Sequence, residues 1–333
     1  MAGGYTHITL AQLAIEEAVT QNLLHEDMRQ ALQKWKKFVI IGSMGPDYAY
    51  LDIADKSSEA WGFAMHEARA LDFLREGVRR VRIIQEENVR QKCAAWLFGF
   101  ASHCVTDGVV HPVVNLKVGP YEQNKTAHRC CELSQDVLVY AKLGLGPVEL
   151  NRQLSINVQL AADERERDRL DRDIARLWSA SLETVYADRW QKEEPFSLFS
   201  AWAWMSAKLK QLTGQSDKLP APDPDKWHRA MRRNMELAES GGKLMPFARH
   251  AAANLGLTYP AKPEPQYVTG LQVPAENRMD FEAVFSKALQ DTVAFWQNMS
   301  LALQDRPSPL DSMAGWSLST GFDATNRNCV FWS

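Results

Sequence analysis

Several features that would define a protein's class at once are missing from this sequence. The net charge is −3, so there is no broad basic surface of the kind that binds nucleic acid. No run of 18 or more apolar residues is present, and we therefore predict no transmembrane segment. The 5 cysteines form an odd set without the spacing of a disulfide framework, which favours reduced thiols. Neither a Gly-x-Ser-x-Gly motif nor a glycine-rich phosphate loop is found.

The first residues carry no positive segment followed by an apolar one, which is the pattern of a secretory leader. We therefore expect a cytoplasmic protein, and export of a leaderless chain by a dedicated secretion system is the alternative. With 45% hydrophobic and 24% charged residues, the composition is that of a globular protein with an ample core.

The spacing of apolar residues predicts an all-α protein, because strand-like alternation is rare before the tail. Predicted helices cover residues 10–37 with a break near 21–27, and then 60–73, 86–110, 126–142, 147–159, 164–185, 197–212, 226–240 and 279–303. A Gly-Pro pair within residues 42–47 predicts a turn between two of these elements.

The carboxy-terminal part has a different composition. Four prolines within residues 257–276 predict a linker that cannot be helical. We therefore divide the chain into an all-helical domain, residues 1–255, and a region of residues 256–333 with this linker, a long helix and an irregular or hairpin tail that could form a strap. That region could bind a protein partner. Trp202 and Trp204 favour a core position for the helix 197–212, and a peripheral contact with a membrane is the alternative.

One segment places three metal-binding side chains on a single helical stripe. His103, Asp107 and His111 follow one another at intervals of four residues, so they lie at about 0°, 40° and 80° around the helix axis. Imidazole nitrogen and carboxylate oxygen are ligands of zinc, and a carboxylate between two histidines can bridge two ions. The alternative is a helix that buries hydrogen-bonded His and Asp for structural reasons.

Other potential ligands concentrate in the same part of the chain. His7, His66 and His128 lie within the first 130 residues, and Glu132 follows His128 by about one helical turn. Neighbouring cysteine thiolates could also bind zinc, although histidines and carboxylates already supply enough ligands. These cysteines are Cys104, Cys130 and Cys131.

Six short segments in this order resemble the zinc-dependent phospholipase C family, a branch of the superfamily that also contains the S1/P1 nucleases. They are Tyr5-Thr-His7, Gly45-Pro-Asp47-Tyr, Met65-His66-Glu-Ala-Arg69, Ser102-His103-x-x-x-Asp107, Val110-His111-Pro112 and His128-x-x-x-Glu132. Each motif is weak alone, but their joint order and spacing are specific, and they place the metal site within residues 5–135. The resemblance implies a multi-helix phospholipase C/P1 nuclease-like bundle that holds two to three zinc ions and hydrolyses phosphate esters.

The resemblance also implies a role for each position. The expected ligands are Asp47, His66, His103 and Asp107 for one zinc ion, His111, His128 and Glu132 for a second, and His7 with a bridging Asp107 for a third. Asp47 and Asp107 are the expected catalytic residues. Three nearby carboxylates could replace Asp47, but the Gly-Pro turn before Asp47 fixes its backbone. These carboxylates are Asp52, Asp55 and Glu59.

Two departures from the family pattern concern the exact cluster. Secreted members use an amino-terminal Trp at the third zinc, and this chain has no Trp near residue 1, so the third site is expected to be weaker or completed by backbone of residues 1–5. The interval from Asp107 to His111 is only four residues, which suits one continuous helix. Arg69 could contact a phosphate or a ligand carboxylate, and a surface ion pair is equally expected.

Three functions are compatible with this set of residues. The leading hypothesis is a zinc phosphoesterase, in particular a phospholipase C in which a zinc-bound hydroxide attacks a phospholipid. The second is a nuclease or nucleotidase on the same cluster, with Tyr48, Tyr50 and Phe63 available to stack on a base. The third is a metal-stabilised binding or effector protein without turnover, in which zinc folds the chain. The absent basic surface disfavours nucleic acid as the substrate.

Overall fold

The structure is a computed structural model of the chain. It describes residues 2–52, 55–67, 69–147, 152–190, 218–240, 252–253, 256–275, 277–325 and 327–333. The predicted helix 197–212, with Trp202 and Trp204, lies outside the described residues, and so do residues 148–151 of the predicted helix 147–159.

The fold is all-α, as the sequence predicts. The helices are α1 (Gly4–Thr20), α2 (Glu26–Lys34), α3 (Lys36–Gly42), α4 (Lys56–His66), α5 (Ala70–Arg82), α6 (Glu87–Val118), α7 (Lys125–Tyr140), α8 (Gln153–Leu160), α9 (Arg172–Val185), α10 (Pro224–Ser240), α11 (Pro265–Val268) and α12 (Phe281–Leu303). A 3₁₀ turn, Tyr48–Leu51, connects α3 to α4. Two short antiparallel strands, β1 (Leu271–Gln272) and β2 (Arg278–Met279), pair Leu271 with Met279.

Helix α6 lies at the centre of the molecule. Every residue from Cys93 to Val114 on it is buried, and α3 and α12 pack along it. By length and composition α6 could span a bilayer, but its most apolar stretch lies wholly inside the protein, which is typical of a core helix. A central helix that is buried all round can present polar side chains only to an internal site.

Two glycines allow α3 to cross α6 at very short range. A Cβ atom on Gly99 would lie 2.0 Å from the carbonyl oxygen of Val39, and one on Gly42 would lie 2.1 Å from that of Trp96. Because real Cβ atoms do not approach that closely, both positions require glycine. The crossing brings the end of α3 and the turn that follows it, with Asp47, against the metal-ligand stripe of α6.

Some predicted helix boundaries were wrong. The predicted helix 60–73 is divided into α4 and α5 after His66, because the carbonyl of His66 accepts the backbone N–H groups of Leu318 and Ser319 from the tail. The predicted helix 164–185 begins only at Arg172. The side chain of Asp171 accepts the first free N–H groups there and acts as the N-cap.

Prolines lie within helical segments at two places where the predicted boundaries differ from the structure. Helix α6 does not end at residue 110 but continues through Pro112 to Val118. A proline removes one intrahelical hydrogen bond, and the burial of this segment on all sides offsets that loss. Within the linker 257–276, which was predicted to be non-helical, Pro265 begins the single helical turn α11. A proline is tolerated there because the backbone N–H of the first helical residue has no intrahelical acceptor, so nothing is lost when proline lacks that N–H.

The carboxy-terminal region packs directly on α6. The indole N–H of Trp296 on α12 donates to the carbonyl of Phe98 at 2.8 Å, and α12 shares one hydrophobic core with α1, α5 and α6. After α12 the chain returns across α6 as residues 316–325 and 327–333, hereafter the strap. The proposed boundary near residue 255 stays a prediction.

Candidate metal centre

The eight predicted ligands lie in one buried region, although they come from five different elements. Helix α1 supplies one, the turn after α3 one, α4 one, α6 three and α7 two: His7, Asp47, His66, His103, Asp107, His111, His128 and Glu132. None of them is more than 7% exposed. Such a concentration of ionisable groups without solvent is costly unless the charges are compensated.

Four ligand atoms form a compact group at one end of this region. The Nε2 atom of His66 lies 3.3 Å from Asp47 Oδ1 and 3.6 Å from Asp107 Oδ2. The Nε2 atom of His103 lies 3.2 Å from Asp107 Oδ2 and 4.0 Å from Asp47 Oδ1. Ligands at ordinary zinc distances on a tetrahedron are separated by about 3.3 Å. The spacing of these four side chains therefore fits one zinc ion.

The second oxygen of Asp107 faces a different set of atoms. Its Oδ1 lies 3.2 Å from His7 Nε2 and 3.3 Å from His111 Nε2. The backbone N–H of Ala2 also donates to Oδ1, at 3.0 Å. Because the two carboxylate oxygens contact separate ligands, Asp107 has the geometry of a carboxylate that bridges two metal ions.

His128 and Glu132 lie next to this cluster on α7. His128 Nδ1 is 2.9 Å from Glu132 Oε1, and His128 Nε2 is 3.2 Å from Asn115 Oδ1. The ring of His128 is 6.0 Å from that of His111 between centroids. The grouping of His111 with His128 and Glu132 around one zinc ion stays a prediction.

Three of the histidines are oriented in the same way, through their Nδ1 atoms. His66 donates to the carbonyl of Gly62 at 2.8 Å, His103 donates to that of Ser43 at 2.9 Å, and His111 donates to that of Leu318. A carbonyl can only accept, so the proton of each neutral ring is on Nδ1 and the lone pair of Nε2 is free for a ligand.

Six nitrogen and oxygen atoms of the cluster have no hydrogen-bond partner within the described part of the chain. They are Nε2 of His7, His66, His103 and His111, together with Asp47 Oδ1 and Asp107 Oδ2. Buried polar atoms without partners are rare because each costs about 1–3 kcal/mol. Six such atoms that converge on one place fit a metal centre, since imidazole and carboxylate are the ligands that zinc takes.

The protonation states of the cluster also fit metal binding. Burial lowers the pKa of His111 to about 3, and burial and then the neighbouring His103 lower the pKa of His7. Burial alone would raise the pKa of Asp107, but the adjacent histidines hold it well below its usual range, and the same balance lowers the pKa of Asp47. Near pH 7, His7 and His111 are therefore neutral and the two carboxylates are ionised, as metal ligands must be.

His103 differs from its neighbours. Burial acts to lower its pKa, but the carboxylates of Asp107 and Asp47 outweigh burial and raise it. Its ring is stacked on that of His7 with centroids 3.8 Å apart, so the two rings cannot both carry a proton without strong repulsion. Metal binding by these histidines would remove that conflict, because both rings would then be neutral.

Of the three carboxylates considered as alternatives, Asp52 and Asp55 are engaged elsewhere and Glu59 is exposed to solvent. Asp52 accepts from Ser58 and pairs with Lys226 and Arg233, and the side chain of Asp55 caps α4. Of these nearby carboxylates, Asp47 is therefore the one that lies beside His66.

Other residues singled out from the sequence lie away from the cluster. Arg69 forms a surface ion pair with Asp188, 2.8 Å between Nη2 and Oδ2. Tyr48 is fully buried against Trp178 and His228 rather than lining a cleft.

Several residues of the centre were missed in the sequence. The carbonyl groups that orient the histidines belong to Gly62, Ser43 and Leu318, and backbone carbonyls carry no sequence signal. Asn115 was detectable, since it continues the four-residue spacing of the α6 stripe, and its side chain binds both His128 and the carbonyl of Ser319. Arg129, next to His128, also contacts the cluster through Glu132.

The fold and the buried cluster together define an all-α protein with histidine–carboxylate groups that could hold metal ions. The family model for zinc dependent phospholipase C matches residues 6–188, more than half of the chain and a range that contains all eight predicted ligands. The chain therefore belongs to the zinc-dependent phospholipase C family. No curated protein and no solved structure matches the chain.

Proposed function

We propose that the protein is a phospholipase C that hydrolyses the phosphodiester of a phospholipid. The observation that carries the proposal is the convergence of four unpartnered buried histidine Nε2 atoms on the two oxygens of Asp107, in a chain of the zinc-dependent phospholipase C family. Zinc bound there supplies an activated water and neutralises charge on phosphate oxygens.

Residues of the protein supply the other functions of the centre. Asp107 holds the cluster together, because each of its oxygens contacts a histidine from a different helix. Asp47 is the most exposed of the eight ligands, at 7%, and its unpartnered Oδ1 can accept a hydrogen bond from the attacking water. The carbonyls of Ser43, Gly62 and Leu318 keep the histidine rings in place, which preorganises the centre.

Apolar side chains beside the centre support a lipid substrate. Phe63 on α4 is 41% exposed and packs edge-on against Tyr50, 5.4 Å between centroids. The Tyr50 hydroxyl is in turn 3.5 Å from His66 Nδ1. Leu116, next to Asn115 on α6, is 48% exposed. Exposed large apolar groups on the elements that carry the ligands suit contact with acyl chains or a membrane surface.

Arg129 places a positive charge at the edge of the centre. Its Nη1 lies 3.2 Å from Glu132 Oε2 and its Nη2 donates to the Tyr121 hydroxyl at 3.2 Å. The guanidinium also packs over the Tyr121 ring, 5.6 Å from its centroid, and the side chain is 28% exposed. A partly exposed guanidinium beside a metal centre is well suited to bind a phosphate oxygen of the substrate.

In assays at saturating zinc, replacing Arg129 with glutamine is expected to raise KM for a phospholipid by about 10-fold, because a charge-assisted hydrogen bond to the phosphate is lost. Steady-state hydrolysis of phospholipid vesicles measures the effect. Lys125→Gln is the matched control, since Lys125 also lies 5.6 Å from the Tyr121 ring but pairs with the exposed Glu122. Equal KM values for the two variants would exclude this role for Arg129.

The proposed function is tested by hydrolysis in the presence and absence of chelator. Purified protein is assayed on phosphatidylcholine vesicles, on phosphatidylglycerol vesicles and on single-stranded DNA. We expect diacylglycerol release from lipid, its loss in EDTA and its return with zinc. Lipid hydrolysis that persists in EDTA contradicts a zinc-dependent reaction. Cleavage of DNA without lipid hydrolysis would instead establish the nuclease alternative on the same centre.

A further inference from the structure

The strap, residues 316–325 and 327–333, contacts two of the predicted ligands from outside the region matched by the family model. The carbonyl of Leu318 accepts the Nδ1–H of His111. The backbone N–H groups of Leu318 and Ser319 donate to the carbonyl of His66, at 2.9 and 3.4 Å. The two residues Leu318 and Ser319 therefore hold both His111 on α6 and His66, the last residue of α4.

The strap is also tied to α6 on both sides of His111. The indole N–H of Trp316 donates to the carbonyl of Cys104 at 3.0 Å. The indole N–H of Trp332 donates to the carbonyl of Val109 at 3.0 Å. Nearer the end of the helix, the Asn115 side chain donates to the carbonyl of Ser319 at 2.9 Å. These contacts fix the strap along the face of α6 that carries Asp107 and His111.

The backbone of the strap approaches α6 so closely that this contact restricts which residues can be present. Gly321 has a φ of 71°, and a Cβ atom there would lie 2.5 Å from Cγ of Pro112 and 2.6 Å from the carbonyl oxygen of Gly108. A Cβ on Gly108 would in turn lie 2.7 Å from the Phe331 ring. Even one methyl group at Gly321 must therefore lift the strap from the helix next to His111.

We propose that the strap is a positioning element of the metal centre, and that Leu318 sets the orientation of His111 so that zinc is retained. The proposal concerns metal affinity and does not depend on which ester the protein hydrolyses. An acceptor for the second ring nitrogen fixes the tautomer and aim of a metal-binding histidine, and losing such a partner typically costs 10–100-fold in metal affinity. The protein thus uses a segment about 200 residues away in sequence to complete a centre built from its first half.

The first test compares Gly321→Ala with Gly144→Ala. Both glycines have positive φ, 71° and 63°, so the two substitutions share the backbone strain, but a Cβ on Gly144 would meet nothing within 4 Å. Zinc affinity is measured by competition with a chromogenic chelator, and far-UV circular dichroism checks the fold. We expect Gly321→Ala to weaken the most weakly bound zinc at least 10-fold and Gly144→Ala to leave it within about 2-fold. Equal affinities for the two variants overturn the proposal.

A second test uses the unmodified protein and decides the question if Gly321→Ala does not fold. Coupling between two events is reciprocal, so if the strap raises zinc affinity, zinc must protect the strap to the same extent. Hydrogen–deuterium exchange of peptides covering residues 316–325 is followed with zinc and with EDTA. We expect zinc to slow exchange of the Leu318 and Ser319 amides at least 10-fold. Identical exchange in the two conditions contradicts the proposal.

These measurements separate the strap's role from the proposed function. If Gly321→Ala loosens zinc while the unmodified protein hydrolyses no phosphate ester, the strap's role stands and the phospholipase C proposal fails. If the unmodified protein hydrolyses lipid but strap exchange and zinc affinity are unchanged, the proposed function stands and the strap's role is excluded.

Discussion

Replacing Asp107 with asparagine is expected to remove two zinc ions from each chain and to lower phosphoester hydrolysis by about 10³-fold or more. Each oxygen of Asp107 contacts a different set of ligands, Oδ2 with His103 and Oδ1 with His7 and His111. Asparagine has almost the same shape, so the helix and its packing are retained. It has only one acceptor oxygen and no charge, and it cannot bridge two cations.

Asp52→Asn is the matched control for this variant. Asp52 is also buried and close in sequence to a ligand, but it pairs with Lys226 and Arg233. Zinc content and activity should therefore stay near those of the unmodified protein. Inductively coupled plasma mass spectrometry of the dialysed proteins counts the metal. A full zinc complement in Asp107→Asn would show that this residue does not bridge.

Replacing His103 with alanine is expected to abolish hydrolysis while leaving a folded, helical chain. Helix α6 is buried over its whole central length by apolar neighbours, with Trp96 and Phe98 fully buried on it. That packing does not depend on metal. The loss of the imidazole leaves the carbonyl of Ser43 without its partner and creates a cavity, so stability should fall by about 2–5 kcal/mol without unfolding at 20 °C.

Far-UV circular dichroism and a thermal melt of His103→Ala distinguish catalysis from a purely structural use of zinc. The unmodified protein in EDTA is the companion sample, because it lacks the metal but keeps the side chain. If both samples are unfolded at 20 °C, the chain is a metal-folded binding or effector protein of the kind considered from the sequence. Retained helix content in both supports a catalytic centre in a scaffold that folds by itself.

The parts of the centre that follow helical geometry were predictable from the sequence. The spacing of His103, Asp107 and His111 determines that they share one stripe of α6. The structure places the Nε2 atoms of His103 and His111 at 3.2 and 3.3 Å from the two oxygens of Asp107. His128 and Glu132 likewise follow from a four-residue interval on α7. Such local relations need only the helix period.

The contributions of Asp47, His66 and His7 could not be derived from periodicity. Their elements reach α6 only through tertiary packing, such as the glycine crossing at Gly42 and Gly99, and only the family resemblance connected them beforehand. The break after His66 depends on bonds to the strap, and the continuation of α6 through Pro112 depends on burial. Contacts between residues distant in sequence override the local preferences from which helix boundaries are predicted.

Anomalous diffraction at the zinc absorption edge tests the central claim most directly, because it locates each bound zinc ion in a crystal of the unmodified protein without reference to activity. We predict at least two anomalous peaks on opposite sides of the Asp107 carboxylate, one within bonding distance of His103 Nε2 and the other within bonding distance of His7 or His111 Nε2, at about 2.0–2.2 Å. A zinc-saturated crystal with fewer than two peaks between α6, α1 and α7 would contradict a multinuclear centre.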